Sequence, residues 1–379
     1  MPVKKRLMFV VTEDWYFVSH RLPLARAARD AGYDVLVATR LGDHAELIAR
    51  EGITPIGLRS MRRGGRNPIG ELAAIAELAA LYRQYKPDIV HHIAIKPVLY
   101  GSIAARMAGV RGVVNNLAGL GFVFSSKTRK AALLRPAIRA LLAIALKRRG
   151  TLTIVQNSDD ANVLATNIGI PADRIRLIKG SGVDMQLFAE QRAESSPPIV
   201  ILASRMIWDK GIGDFVKAAS LLKADGVAAR FVVLGAPDPG NPGSIPQSVL
   251  EGLNNEGIVE WWGHRSDMPA IIAGAALVCL PTTYGEGVPK ILIEAAAGGC
   301  AIVAYDVAGC REIVTDGDNG KLVPAGDIGQ LAAAIKVLLE DPDRRAAMGS
   351  RGRKRVETEF ALEHVVAQTL SVYRGLEPT

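Results

Sequence analysis

"ESSPPIVILASRMIWDKGIGDF" (residues 194–215) is the point at which the chain begins a second time. Glu-Ser-Ser-Pro-Pro is a turn-rich break. The run Ile-Val-Ile-Leu-Ala behind it is apolar at every position, as in a strand buried on both faces. It ends at two cations, Arg205 and Lys210, with four residues between them. Gly211 and Gly213 then open "GIGDFVKAASLLKADG", whose apolar residues recur at helical spacing. "RLMFVV" (residues 6–11) opens the chain in the same way.

Working outward, "ARFVVLGA", "GIVEWWGH" and "ALVCLPT" read as further strands downstream of the break. Upstream, a polar-aromatic loop "TEDWYFVSH" precedes the helix "LPLARAARDAG", then strand "YDVLVAT" and helix "HAELIAREG". "ELAAIAELAALYRQYK" is a helix, "DIVHHIAI" a strand, and "PVLYGSIAARMAGV" a helix with proline in its first turn. Strands alternating with helices predict α/β architecture with parallel sheets covered on both faces. The expectation is two tandem doubly wound, Rossmann-like domains, residues 1–190 and 191–360. A closing helix in residues 361–379 would pack back on the first. Ligands of such sheets bind outside the carboxyl ends of the strands, so the active site is expected in the interdomain cleft.

Composition narrows the function. The chain has 379 residues, 49% hydrophobic and 22% charged, which is the profile of a globular protein. Cys279, Cys300 and Cys310 follow no pairing or zinc spacing and read as reduced thiols. The first apolar run, residues 7–11, is too short for a signal peptide core, and residues 270–280 fall short of the roughly 18 needed to span a bilayer. A cytoplasmic protein is expected. Residues 1–158 hold 25 Lys and Arg against 10 Asp and Glu, a formal +15 in a chain whose total is +8. A basic first half predicts an anionic partner: a membrane surface, a nucleic acid or a phosphorylated substrate.

The second half carries the chemistry. Arg205 and Lys210 at a strand's carboxyl end, beside a helix start, suit a diphosphate. Alternatively they solvate a surface loop. "YGEGVPKILIEAAAGG" (residues 284–299) places Glu286 before Gly287, Val288 and Pro289, and Glu294 inside an apolar helix. Gly287 lets a ligand approach the backbone, and Pro289 fits a helix's first position. A buried carboxylate at Glu294 either accepts both hydroxyls of a ribose or pairs with an arginine elsewhere.

These features together resemble the retaining nucleotide-sugar glycosyltransferases of family four, which have two Rossmann-like domains in the GT-B arrangement. The resemblance rests on the Arg205–Lys210 spacing, "GHRSDMPAIIAGAALVCLPT", the two glutamates, "AGGCAIVAYDVAGCREIV" and "NGKLVPAGD". It extends to the first half through "FVSHRLPLARAARDAGYDV", "HHIAIKPVLYGSIAARMAGV" and "NNLAGLGFVF". Those segments are similar to the branch acting on lipid-diphosphate-linked intermediates of bacterial surface polysaccharides. The resemblance implies that Arg205 and Lys210 bind the donor diphosphate. It implies that Glu286 and the backbone of Gly287, Val288 and Pro289 meet the donor sugar, that Glu294 holds ribose, and that backbone at Gly263, His264 and Arg265 packs on the base. It implies no metal and no cofactor; the Asp316/Asp318 and Asp341/Asp343 pairs read as turn residues.

The first half departs from the family in lacking a glycine pair after its first strand and in having Asn115 and Asn116 where relatives carry a histidine. His20, with Ser19 as an N-cap, is the remaining candidate for a catalytic base, or else an ordinary first-turn residue. Trp15, Tyr16 and Phe17 either stack on an acceptor sugar or cap the core; Asn116 completes the candidate acceptor set. "KTRKAALLRPAIRALLAIALKRRG" (residues 127–150) is basic and apolar with no acid. Its Lys127, Arg129, Lys130, Arg135 and Arg139 would face anionic lipid, unless this is an ordinary packed helix.

The function expected is transfer of a hexose or N-acetylhexosamine from a nucleotide sugar, UDP-linked by preference, to a lipid-linked or saccharide acceptor at the inner face of the cell membrane. A UDP-sugar epimerase shares the architecture and is the rival enzyme. A nucleic-acid binder is the non-enzymatic rival, but the basic half has no recognisable binding motif and few aromatics.

Overall fold

The computed structural model describes residues 4–63, 68–120, 129–188 and 193–376. It divides into two compact units, one of Met1–Ser181 with Val365–Thr379, the other of Gly182–His364.

In the first unit β1 (Arg6–Glu13), β2 (Asp34–Arg40), β3 (Thr54–Gly57), β4 (Ile89–Ile93), β5 (Gly112–Leu117), β6 (Thr151–Val155) and β7 (Ile175–Leu177) form one sheet. Its order is β3-β2-β1-β4-β5-β6-β7 and every pairing is parallel. The second unit has β8 (Ile199–Ala203), β9 (Arg230–Leu234), β10 (Glu260–Trp261), β11 (Leu277–Leu280), β12 (Ala301–Tyr305) and β13 (Gly320–Val323). Its order, β10-β9-β8-β11-β12-β13, is also fully parallel. Each sheet starts at a central strand, winds outward on one side, then crosses to the other. The winding direction reverses between β1 and β4 and between β8 and β11, which is where doubly wound sheets bind ligands.

Burial on both faces explains the unbroken apolar runs. In β8, Ile199 and Ile201 enter one core with Val278 and Leu280, while Val200 and Leu202 enter another with Leu277 and Cys279. In β1, Leu7, Phe9 and Val11 face one core and Met8 and Val10 the other.

Four local expectations are corrected. The loop after β1 is a helix, Asp14–His20. Its first residue is buried, and the Asp14 carboxylate accepts the N–H groups of Trp15, Gly42 and His44, tying the turn to the loop after β2. Ser19 lies inside that helix; the next, Leu22–Asp30, begins after Arg21 with no side-chain cap. "GIVEWWGH" contributes only the two-residue edge strand Glu260–Trp261. Pro289 is the N-cap of its helix, not the first helical residue.

The chain passes to the second unit at Gly182, ahead of the proline-rich break. Val183 is already bound there, donating to the Phe360 carbonyl at 3.1 Å and accepting from Leu362 N–H at 2.9 Å. The last helix, Leu362–Arg374, then places Val365, Val372 and Tyr373 in the core containing Leu7 and Phe9. Among the described residues no helix is long and apolar enough to cross a membrane.

Candidate active site

In the second unit two loops leave the carboxyl ends of the adjacent strands β8 and β11. The first passes Arg205, makes a 3₁₀ turn at Trp208–Lys210, and enters the helix Ile212–Ala224 through Gly211, whose φ is +81°. The second carries Glu286 and enters the helix Lys290–Ala297 at Pro289. Neither helix start is capped by a side chain. The first N–H groups of a helix have no partner within it, and the helix dipole adds positive potential there. Two such ends at a topological switch point, with two cations on the loop after β8, have the chemistry that suits an anion.

Glycines let the loops meet. A Cβ on Gly211 would lie 2.0 Å from the Pro281 carbonyl oxygen, and one on Gly309 only 1.7 Å from that of Gly287. Backbone therefore packs on backbone at both positions, and Gly309 supports the segment that holds Glu286. Thr283 N–H donates to the Asp209 carbonyl at 3.0 Å, stitching the two loops together.

The result is a close pair. Lys210 Nζ donates to both carboxylate oxygens of Glu286, at 2.6 and 2.5 Å, with side chains only 9% and 18% exposed. The ammonium also sits 5.4 Å from the centre of the Tyr284 ring. Thr282 Oγ1 donates to Glu286 Oε1 at 3.4 Å, so the carboxylate is held from two directions.

Glu294 is one turn inside its helix with a side chain 14% exposed. Its ion partner is not an arginine but Lys290, four residues back, at 3.1 Å. Burial holds its carboxyl above the usual range, and the Lys290 charge offsets part of that rise. Arg205 Nη1 donates to Asp238 Oδ2 at 2.6 Å. Gly263, at φ +67°, accepts Gly235 N–H through its carbonyl at 2.8 Å, tying this turn to the end of β9. His264 and Arg265 are exposed, with Arg265 paired to Asp267. Asp316 accepts from Leu322 N–H, and Asp341 caps the helix Pro342–Glu359, as turn residues do. Sequence reasoning missed Asp238, Thr282, Tyr284 and Gly309. The one available signal was the glycine at 309 in an otherwise regular strand–loop–helix unit.

In the first unit the candidate acceptor residues separate. Trp15, Tyr16 and His20 share the helix Asp14–His20, where Tyr16 and His20 stack at 4.3 Å with planes 8° apart. Arg63 lies 5.6 Å from the centre of the Trp15 ring. Phe17 is fully buried against Phe9, so it belongs to the core. Asn116 is only 2% exposed, because its strand runs through the centre of the sheet, and so it does not belong to the accessible set. His91 and His92 face opposite sides of β4: His91 Nδ1 meets the Tyr373 hydroxyl at 2.7 Å, and His92 meets Asn115 Oδ1 at 2.8 Å and the Tyr82 hydroxyl at 2.9 Å. Burial depresses both imidazoles, His92 to about 4, and keeps them neutral.

The basic segment is a helix, Arg129–Leu146. Lys127 lies outside the described residues, as do the side chains of Arg129 and Lys130. Arg139 is exposed and Arg135 half-buried. Leu142 and Leu146 pack into a core with Leu117 and Val155; Leu141 and Ile144 remain exposed.

Two tandem doubly wound parallel sheets, the second with two uncapped helix starts and two cations at its switch point, are an architecture found in a class of group-transferring enzymes. The family models "Glycosyl transferase 4-like" and "Glycosyl transferases group 1" match residues 6–157 and 184–355, and the chain belongs to this glycosyltransferase family. Among curated relatives, the N,N'-diacetylbacillosaminyl-diphospho-undecaprenol alpha-1,3-N-acetylgalactosaminyltransferase of Campylobacter jejuni is 28% identical, over 86% of this chain and 87% of that one. The putative glycosyltransferase EpsD of Bacillus subtilis is 26% identical, over 97% and 96%. Among solved structures, HepE of Anabaena in complex with UDP and glucose superposes with a TM-score of 0.77 at 19% identity, over 97% of this chain and 99% of that one. Sucrose-phosphate synthase from Thermosynechococcus elongatus gives 0.80 at 20%, over 98% and 99%. At these identities the structural likeness is one of fold, that of GT-B enzymes. The epimerase alternative gains no support from these matches.

Proposed function

We propose that this glycosyltransferase moves a hexose or N-acetylhexosamine, with retention of anomeric configuration, from a UDP-linked donor to a lipid-linked acceptor of surface-polysaccharide synthesis. The observation that carries the donor half is the pair of uncapped helix starts at β8 and β11, flanked by Arg205 and Lys210. The donor's diphosphate sits at those ends. With two N–H groups on Glu286, Lys210 keeps a third for a phosphate oxygen, and Arg205 supplies a second cation. As the bond between the sugar's anomeric carbon and the diphosphate breaks, these groups stabilise the charge gathering on the leaving group, so metal is not required. Glu286 and the backbone of residues 287–289 contact the sugar, Glu294 the ribose, and the turn at Gly263, His264 and Arg265 the base. The acceptor half is supported by the named substrate of the Campylobacter relative and by the basic charge of the first 158 residues. Trp15, Tyr16 and His20 offer stacking surface and an imidazole to the acceptor, and the enzyme works at the cytoplasmic face of the membrane.

A thermal-shift panel of nucleoside diphosphates tests the donor reading, since a ligand that binds only the folded state stabilises it. UDP at millimolar concentration should raise the melting temperature, with or without EDTA. No shift with any nucleoside diphosphate would refute it.

A further inference from the structure

Arg205 is held from behind. Its Nη1 donates to Asp238 Oδ2 at 2.6 Å, and among the described residues no other hydrogen bond of its side chain exists. We propose that Asp238 is a positioning residue of the donor site, fixing the Arg205 guanidinium so that its Nε and Nη2 edge faces the donor diphosphate. This rests on the donor-site reading above. Nothing in that reading assigns the loop after β9 a part in the site.

The loop is built to keep Asp238 in place. Met206 N–H donates to the Ala236 carbonyl at 3.0 Å, Ile245 N–H to the Met206 carbonyl at 2.8 Å, and Trp208 N–H to the Gly243 carbonyl at 3.0 Å. The residues that follow Arg205 are therefore laced to both limbs of the loop. Asp238 is fixed in its own backbone as well, donating to Ser244 Oγ at 2.9 Å and accepting Asn241 N–H at 2.8 Å. At the loop's root, a Cβ on Gly235 would stand 1.8 Å from the Ser204 carbonyl oxygen, so the two segments touch backbone to backbone. The carboxylate is 12% exposed and the arginine 30%. A chance surface pair has none of this support, and an arginine fixed in advance gives up less rotamer freedom when it binds phosphate. A guanidinium has a fork of donors, so one nitrogen can serve the carboxylate while the other edge serves a phosphate.

Calorimetry with UDP on the wild type, Asp238→Ala, Asp238→Asn, Arg205→Ala and the Arg205→Ala/Asp238→Ala double variant tests this, with melting temperatures to confirm folding. Asp238→Ala should weaken UDP binding about tenfold, the scale of losing one charge-assisted hydrogen bond. Asp238→Asn keeps an acceptor for Nη1 and should recover most of that loss. In the Arg205→Ala background the Asp238 change should have no further effect, because Asp238 acts through Arg205. Tighter UDP binding by Asp238→Ala would overturn the proposal and make Asp238 a counter-ion that competes with phosphate. An equal loss in the Arg205→Ala background would overturn it in favour of a structural role for the loop, and unchanged binding in every Asp238 variant would also overturn it. A folded wild type that does not bind UDP would instead overturn the donor-site reading, and this proposal with it.

Discussion

Glu294 is kept at a cost. Its side chain is 14% exposed and its carboxyl is held above the ordinary range by burial. The reference value for glutamate is about 4.3. A carboxyl whose pKa is higher folded than unfolded favours folding while both forms are protonated, below that reference. The advantage is lost as pH rises through the folded value. Above the folded value, burial of the carboxylate therefore counts against folding, a cost that a bound ribose would offset. Glu294→Gln should raise the melting temperature at pH 7, with the gain vanishing below about pH 4, and should weaken UDP binding. Melting curves at the two pH values check the sign; a less stable glutamine variant at pH 7 would show that the Lys290 pair outweighs desolvation.

The site is assembled from loops, and the elements beneath them set what could be read in advance. Apolar strands were legible because alternate residues of β1 and β8 feed different cores, leaving no polar face to interrupt the run. The cation pair was legible too, since it sits on a loop between a strand and a glycine-opened helix. The helix Asp14–His20 was not, because its start is fixed by bonds to Gly42 and His44, 28 and 30 residues away. Asp238 was hidden for the same reason, lying 33 residues from Arg205 in a stretch that reads only as turns. Glu294's ion partner was in plain view at i,i+4 spacing, yet the only ion partner weighed, as the alternative to ribose, was an arginine elsewhere. Gly309 is the element-scale test. A methyl group there meets the Gly287 carbonyl, so Gly309→Ala must push the Glu286 loop outward. It should cost about 1–3 kcal/mol in stability, as overpacking does, and lower sugar transfer more than UDP affinity. Denaturant unfolding and steady-state kinetics measure both; unimpaired transfer would mean the loop's position does not matter.

At the scale of the whole molecule, charge is divided unevenly along the chain. The +15 of residues 1–158 belongs to the half expected to meet a lipid-linked acceptor. Each basic residue near an anionic surface contributes about 1 kcal/mol, within a Debye length. With Leu142 and Leu146 in the core, Leu141 and Ile144 are the described exposed leucine and isoleucine left on this helix for contact with lipid. The protein should sediment with anionic but not neutral vesicles. Salt should release most of it, and so should Arg135→Glu with Arg139→Glu. Indifference to anionic vesicles at low salt would make residues 129–146 an ordinary packed helix.

The division of labour between the two glutamates is the most direct test of a nucleotide-sugar donor site at β8 and β11. Titration calorimetry with UDP should show binding by the wild type, a clear loss of affinity in Glu294→Ala, and no comparable loss in Glu286→Ala, whose proposed ligand is the sugar that UDP lacks and whose removal frees Lys210 for phosphate. Equal losses in both variants, or no heat of binding in the folded wild type, would contradict it.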